Sequence, residues 1–110
     1  MQEQIQELAR MGPLPGLEVA RHPDKQKLVE RYGMLVAAIR KPISDDEARV
    51  LVRLFGPDDC FGIEEALVRI IETAPGWPLW DTLSDADNEW IQMLRERLAN
   101  AGIHPPRTSQ

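Results

Sequence analysis

Cysteine is almost missing from this chain. One thiol, Cys60, stands among 110 residues, so there is no internal disulfide framework and the sequence suits a reducing compartment. Long apolar runs are missing too. The longest, Met34 to Ile39, spans six residues, far short of the roughly 20 a membrane span needs. The first residues, MQEQIQELAR, lack the basic start and apolar stretch of a secretory leader. A cytoplasmic protein with no membrane association is expected. No β-branched segment alternates with period two between hairpin turns, which argues against strands. Reactive groups are just as sparse. There is no glycine-rich phosphate loop and no nucleophile elbow, and neither His22 nor His104 has a His, Cys or Glu three or four residues further on to form a local metal pair.

Charge is present but unevenly spread. Residues 1–42 carry seven bases and five acids, a balance of +2. Residues 43–89 carry twelve acids against Arg49, Arg53 and Arg69, a balance of −9. Residues 90–110 return to +2, with three bases and one acid. So acidic a centre repels phosphate backbones and attracts basic surfaces, which disfavours nucleic acid as a partner.

Helical periodicity dominates the rest. Met1, Ile5 and Leu8 mark one face of a short N-terminal helix that ends at MGPLPG. A segment so short is marginal in water and must dock or fray. Pro23 suits the first position of a second helix, whose inner face is Leu28, Val29, Tyr32, Leu35, Val36 and Ile39. Pro42 ends it. Gly33, in its middle, costs about 1 kcal/mol relative to alanine; it leaves room for another backbone or for a ligand, and packing is the expected reason. The third helix opens on a capping box, Ser44 with Glu47, with Ile43 and Ala48 as its hydrophobic staple. Ala48, Leu51, Val52 and Phe55 point inward, but Val50 and Leu54 are apolar as well, so burial on more than one side is expected. Gly56 reads as a left-handed terminator. A fourth helix is expected from near Asp58 or Asp59, with Ile63, Ala66, Leu67, Ile70, Ile71 and Ala74 inside. Glu65, Arg69 and Glu72 lie opposite, Glu65 and Arg69 at pairing distance. Ser84 is the expected cap of a fifth helix through Trp90, Ile91, Leu94, Leu98 and Ala101, closed by Gly102 with Ile103 folding back on Leu98. The expected fold is all-α: one domain over residues 1–110, with the N-terminal helix and linker (1–22) as accessory to a four-helix bundle (23–102) and a tail (103–110).

Once caps have taken their share, few groups remain for chemistry. Ser44 and Ser84 are assigned to helix starts and Ser109 to the tail. Cys60 would sit in the first turn of the fourth helix, where the helix dipole lowers a thiol pKa and Asp58 and Asp59 raise it. An inert thiol is the expectation. Asp58, Asp59, Glu64, Glu65 and Glu72 supply enough carboxylate for a Mg²⁺ site of the kind used by all-α nucleotide hydrolases, but such a site needs acids from facing helices turned inward. No catalytic residue, metal or cofactor is assigned. The loop APGWPLW (74–80) raises a different question. Trp77 and Trp80 either fold back as a lid, with Trp90 nearby, or leave Trp77 exposed among Asp81, Asp85, Asp87 and Glu89.

The stretch LFGPDDCFG followed by IETAPGWP, within residues 54–78, resembles a pattern in short uncharacterised bacterial proteins of actinobacterial type. The excess of Arg over Lys, ten to three, and nine prolines agree with a GC-rich genome. In size, acidity and helicity the chain also resembles toxin-immunity proteins, in type rather than by motif. The expected function is therefore that of a small acidic interaction protein, of immunity or inhibitor type. It would hold a basic protein through Trp77, Trp80, Asp81, Asp85, Asp87, Glu89, Asp58 and Asp59. Two alternatives are a Mg²⁺-dependent nucleotide hydrolase built on the carboxylates and a homodimer or larger homo-oligomer buried along the apolar third helix.

Overall fold

The structure, a computed structural model, describes residues 1–57, 61–85 and 87–105. Among them it is all-helical, with six α-helices: α1 (Glu3–Met11), α2 (Leu17–Ala20), α3 (Gln26–Ala38), α4 (Asp45–Val52), α5 (Ile63–Ile71) and α6 (Glu89–Asn100). Short 3₁₀ turns at Pro23–Lys25 and Trp80–Thr82 precede α3 and follow the tryptophan loop. No helix among the described residues is long and apolar enough to cross a membrane.

Helix α1 docks rather than frays. It packs on α3 and α4, and Ile5 and Leu8 are fully buried, each such side chain contributing about 1.5–3 kcal/mol. Polar contacts hold the same face. The Gln2 amide group bonds both ways with Arg40, its Nε2 donating to the carbonyl and its Oε1 accepting from the N–H, each at 2.9 Å. Gln4 Nε2 donates to the Ala38 carbonyl at 2.9 Å. These glutamines satisfy acceptors that the C-terminal end of α3 leaves open. Glu7 and Arg31 add a two-point ion pair at 2.6 and 2.7 Å.

The capping box of α4 forms as its sequence predicts, Glu47 N donating to Ser44 Oγ at 3.1 Å and Ser44 N to Glu47 Oε1 at 2.9 Å. Glu47 does more than cap. Its other oxygen accepts from Gln2 N at 2.8 Å, so one carboxylate, only 6% exposed, ties the chain ahead of α1 to the start of α4. Helix α4 ends at Val52, short of the expected Phe55, and the broad apolar surface of the helix and the turn after it is covered within the chain: Leu51, Val52, Leu54 and Phe55 are buried and Val50 is half-buried.

Several local expectations are corrected. Gly56 is not among the glycines with positive φ. Its role is close approach, because a Cβ there would collide with the Leu14 carbonyl oxygen. Helix α5 opens at Ile63, after Phe61 and Gly62 in the left-handed region (φ 51° and 80°), rather than at Asp58 or Asp59. Those two residues and Cys60 lie outside the described residues. Ser84 does not cap α6. The cap is Asn88, whose Oδ1 accepts from Trp90 N at 2.9 Å and Ile91 N at 3.2 Å. Asn88 also reaches the loop after α4, Nδ2 donating to the Phe55 carbonyl at 3.2 Å. At its far end, Gly102 at φ 79° lets Ile103 N donate to Leu98 O at 2.8 Å, the expected closure.

Candidate functional site

Of the ten described acids in residues 43–89, six are paired with an arginine or a backbone amide of the same chain. Asp45 Oδ1 accepts from Gly76 N at 2.7 Å, which pins the tryptophan loop to the start of α4. Asp46 and Asp81 both meet Arg49, at 3.3 and 3.1 Å. The Arg49 guanidinium, through its hydrogen bond and then its charge, holds the Asp81 carboxyl below its ordinary range. Glu72 makes a two-point pair with Arg97 on α6 at 2.9 and 3.1 Å. Glu47 is buried, as described. Burial by itself would raise its pKa, but hydrogen bonds from the Gln2 and Ser44 amides and the Ser44 hydroxyl outweigh that and lower it.

Among the described residues Glu64 is the most buried acid. Its spacing along α5 sets it at the edge of the apolar stripe, yet it is 0% exposed, and Oε2 accepts from Gly56 N at 3.3 Å. Its surroundings explain the difference. The loop carrying Gly56 folds over the start of α5, and its backbone N–H needs an acceptor in a place water does not reach. Glu64 therefore anchors that loop. Glu65 is exposed and does not pair with Arg69 within 4 Å, contrary to the i,i+4 expectation. Glu64, Glu65 and Glu72 thus point to three different environments. Among the described residues no three His, Cys, Asp or Glu side chains converge as metal ligands would.

Neither loop tryptophan stands free. Trp77 and Trp80 are half-buried against the core, and the Trp77 Nε1–H is buried with no acceptor. The expected partner for this lid, Trp90, instead stacks on Phe55, with ring centroids 5.9 Å apart and planes at 15°. The two rings join α6 to the loop after α4.

Among the described contact residues, three acids remain together at the surface. Asp85, Asp87 and Glu89 are exposed and rim a cleft of about 410 Å³ floored by Pro13, Leu14, Phe55, Gly56 and Pro57. Asp85 Oδ1 accepts from Asp87 N at 3.1 Å, which orders the rim just ahead of α6. A neighbouring cleft of about 380 Å³ shares Asp85 and Asn88 and reaches Arg53 and Asp81. Three predicted contact residues, Asp85, Asp87 and Glu89, are thus brought together. Asp81 is drawn into the Arg49 pair, and Trp77 and Trp80 into the core. The apolar floor was missed because its residues come from two loops distant in sequence, which no local pattern connects. Asn88 was legible in principle, as an Asn immediately ahead of a helical run. The chain matches no family model, no curated protein and no solved structure.

Proposed function

We propose that this chain is a small non-catalytic interaction protein, of the immunity or inhibitor type found in the bacterial cytoplasm, and that it holds a basic segment of a partner protein in the cleft rimmed by Asp85, Asp87 and Glu89. One observation carries the proposal. Six described acids of the block (Asp45, Asp46, Glu47, Glu64, Glu72 and Asp81) meet an arginine or a backbone amide of another segment, whereas Asp85, Asp87 and Glu89 have no such partner among the described residues and face solvent beside an apolar floor. A lysine or arginine would lay its aliphatic stem on Pro13 and Pro57 and place its cationic head among the carboxylates. Exposed charges of one sign act mainly on the encounter rate, the apolar floor on residence time.

The test is capture of the partner from native cells, followed by binding kinetics. With Asp85, Asp87 and Glu89 all changed to Lys, association should slow by about tenfold or more at low salt, the difference shrinking as salt rises. An acidic partner, or an association rate indifferent to the three reversals, would refute the proposal.

A further inference from the structure

A second surface of opposite character lies across the molecule's apolar inventory, between α3 and α5. The two helices run in the same direction. Near their starts, Phe61 shares a cleft with Gln26 and Val29; just beyond their ends, Ile43 N donates to Thr73 Oγ1 at 3.2 Å. Between them lies a groove of about 310 Å³ lined by Val36, Ala37, Ile63, Ala66 and Ile70, with Gly33 in its wall. Phe61 stands at one end and Lys41 and Arg69 at the other.

Three features of this groove are unexplained by the fold itself. Phe61 is 60% exposed and held at φ 51°, a conformation that disfavours side chains beyond glycine. Gly33 was expected to permit internal packing, but a Cβ built on it meets nothing within 4 Å. The chain therefore carries a helix-weakening glycine that its own packing does not require. Finally, in a protein of net charge −5 the described residues lining this groove include two cations and no acid, and neither Lys41 nor Arg69 has an acidic partner among the described residues.

We infer that the α3–α5 groove is a docking site for an acidic amphipathic helix of a partner protein. A trough between two parallel helices is the shape into which a third helix packs. The α5 wall, from Ile63 to Ile70, spans about 10 Å at 1.5 Å per residue, or two turns. The occupant therefore presents apolar residues at i, i+3 or i+4 and i+7. Its face packs beside Phe61 and over Gly33, where the missing Cβ lets the backbones approach. A carboxylate at its other end pairs with Lys41 and Arg69. This site is separate from the acidic cleft and takes a partner of opposite charge.

The experiment is selection of helical peptides from a randomised phage library on the immobilised full chain, with affinities then read by fluorescence anisotropy. The expected peptides carry the i, i+3/i+4, i+7 apolar pattern with Asp or Glu toward one end. Their affinity should fall at least about tenfold, or about 1.4 kcal/mol, for Lys41→Glu/Arg69→Glu and for Gly33→Leu. Gly33→Leu also controls for folding. It adds its side chain to open space and replaces glycine with a strong helix former, so its melting temperature should equal or exceed that of the native chain. The inference is overturned if no peptide is enriched, if enriched peptides bind Gly33→Leu as well as the native chain, or if they are basic and lost on reversing Asp85 and Asp87. Saturable binding of dodecanoate with no peptide enriched would overturn it in favour of a small amphiphile.

Discussion

Replacing Glu47 with alanine removes the acceptor of two backbone N–H groups, Ser44 at 2.9 Å and Gln2 at 2.8 Å. Hydrogen bonds to a charged group contribute about 1.5–3 kcal/mol each. Ser44 is exposed, so its amide regains water and its share falls toward the value of a lost cap, about 1 kcal/mol. The Gln2 amide is half-buried and keeps more of its penalty. The expected total is a loss of about 2–4 kcal/mol, or about 8–16 °C in melting temperature for a domain of this size. Glu47→Gln keeps the reach but loses the charge and should fall between the two. The pH dependence gives a second measurement. Because the folded-state pKa of Glu47 lies below the ordinary 4.5, its stabilisation is complete above that value and disappears as pH falls through the lowered one. The stability difference between native chain and Glu47→Gln should therefore be constant from pH 7 to about 5.5 and shrink on further acidification. Exposed acids that also titrate, Glu7 and Asp81 among them, cancel in that difference. Urea unfolding followed by tryptophan emission measures both quantities. A loss under about 0.5 kcal/mol for Glu47→Ala, the level of an ordinary surface change, would sink the claim that this carboxylate holds α1 to α4, as would a pH-independent difference.

Two further perturbations probe local structure. Asn88→Ala should lower stability by about 1–2 kcal/mol, since it strips a helix cap and the bond to the Phe55 carbonyl. Ser84→Ala should change it by less than about 0.5 kcal/mol, and the reverse order in thermal melts would restore Ser84 as the cap. Gly76→Ala drives a Cβ into the Asp45 carboxylate, which must swing aside and give up its bond from Gly76 N, and should cost about 1 kcal/mol. In a double-mutant cycle the effects of Gly76→Ala and Asp45→Ala should be strongly non-additive; simple additivity would mean that the tryptophan loop is held elsewhere.

How much of this was legible in advance differs from element to element. The Ser44–Glu47 box, the Gly102 closure and the inner faces of α3, α5 and α6 depend on residues within eleven positions of one another, and they appear as the sequence predicts except for Ala101, which lies past the end of α6 and is exposed. The start of α6 differs from that reading: Asn88 rather than Ser84 is its cap, and the same side chain reaches Phe55, thirty-three positions away. The candidate site behaves likewise. Asp85, Asp87 and Glu89 were visible as a local run of acids, but which of the twelve carboxylates stay exposed depends on which meet an arginine or a backbone amide across the fold.

The amino-acid sequence by itself determined that this chain is helical and where its apolar stripes lie, because helical periodicity and capping act over a turn or two of backbone. Only the tertiary structure decided the fate of the polar groups. Glu64 and Glu47 became anchors and Trp77 and Trp80 became packing, while Gly33, Phe61, Lys41 and Arg69 were left facing a groove. Burial and electrostatic pairing depend on what surrounds a side chain in space, and those neighbours come from segments that the periodicity of any one helix does not specify.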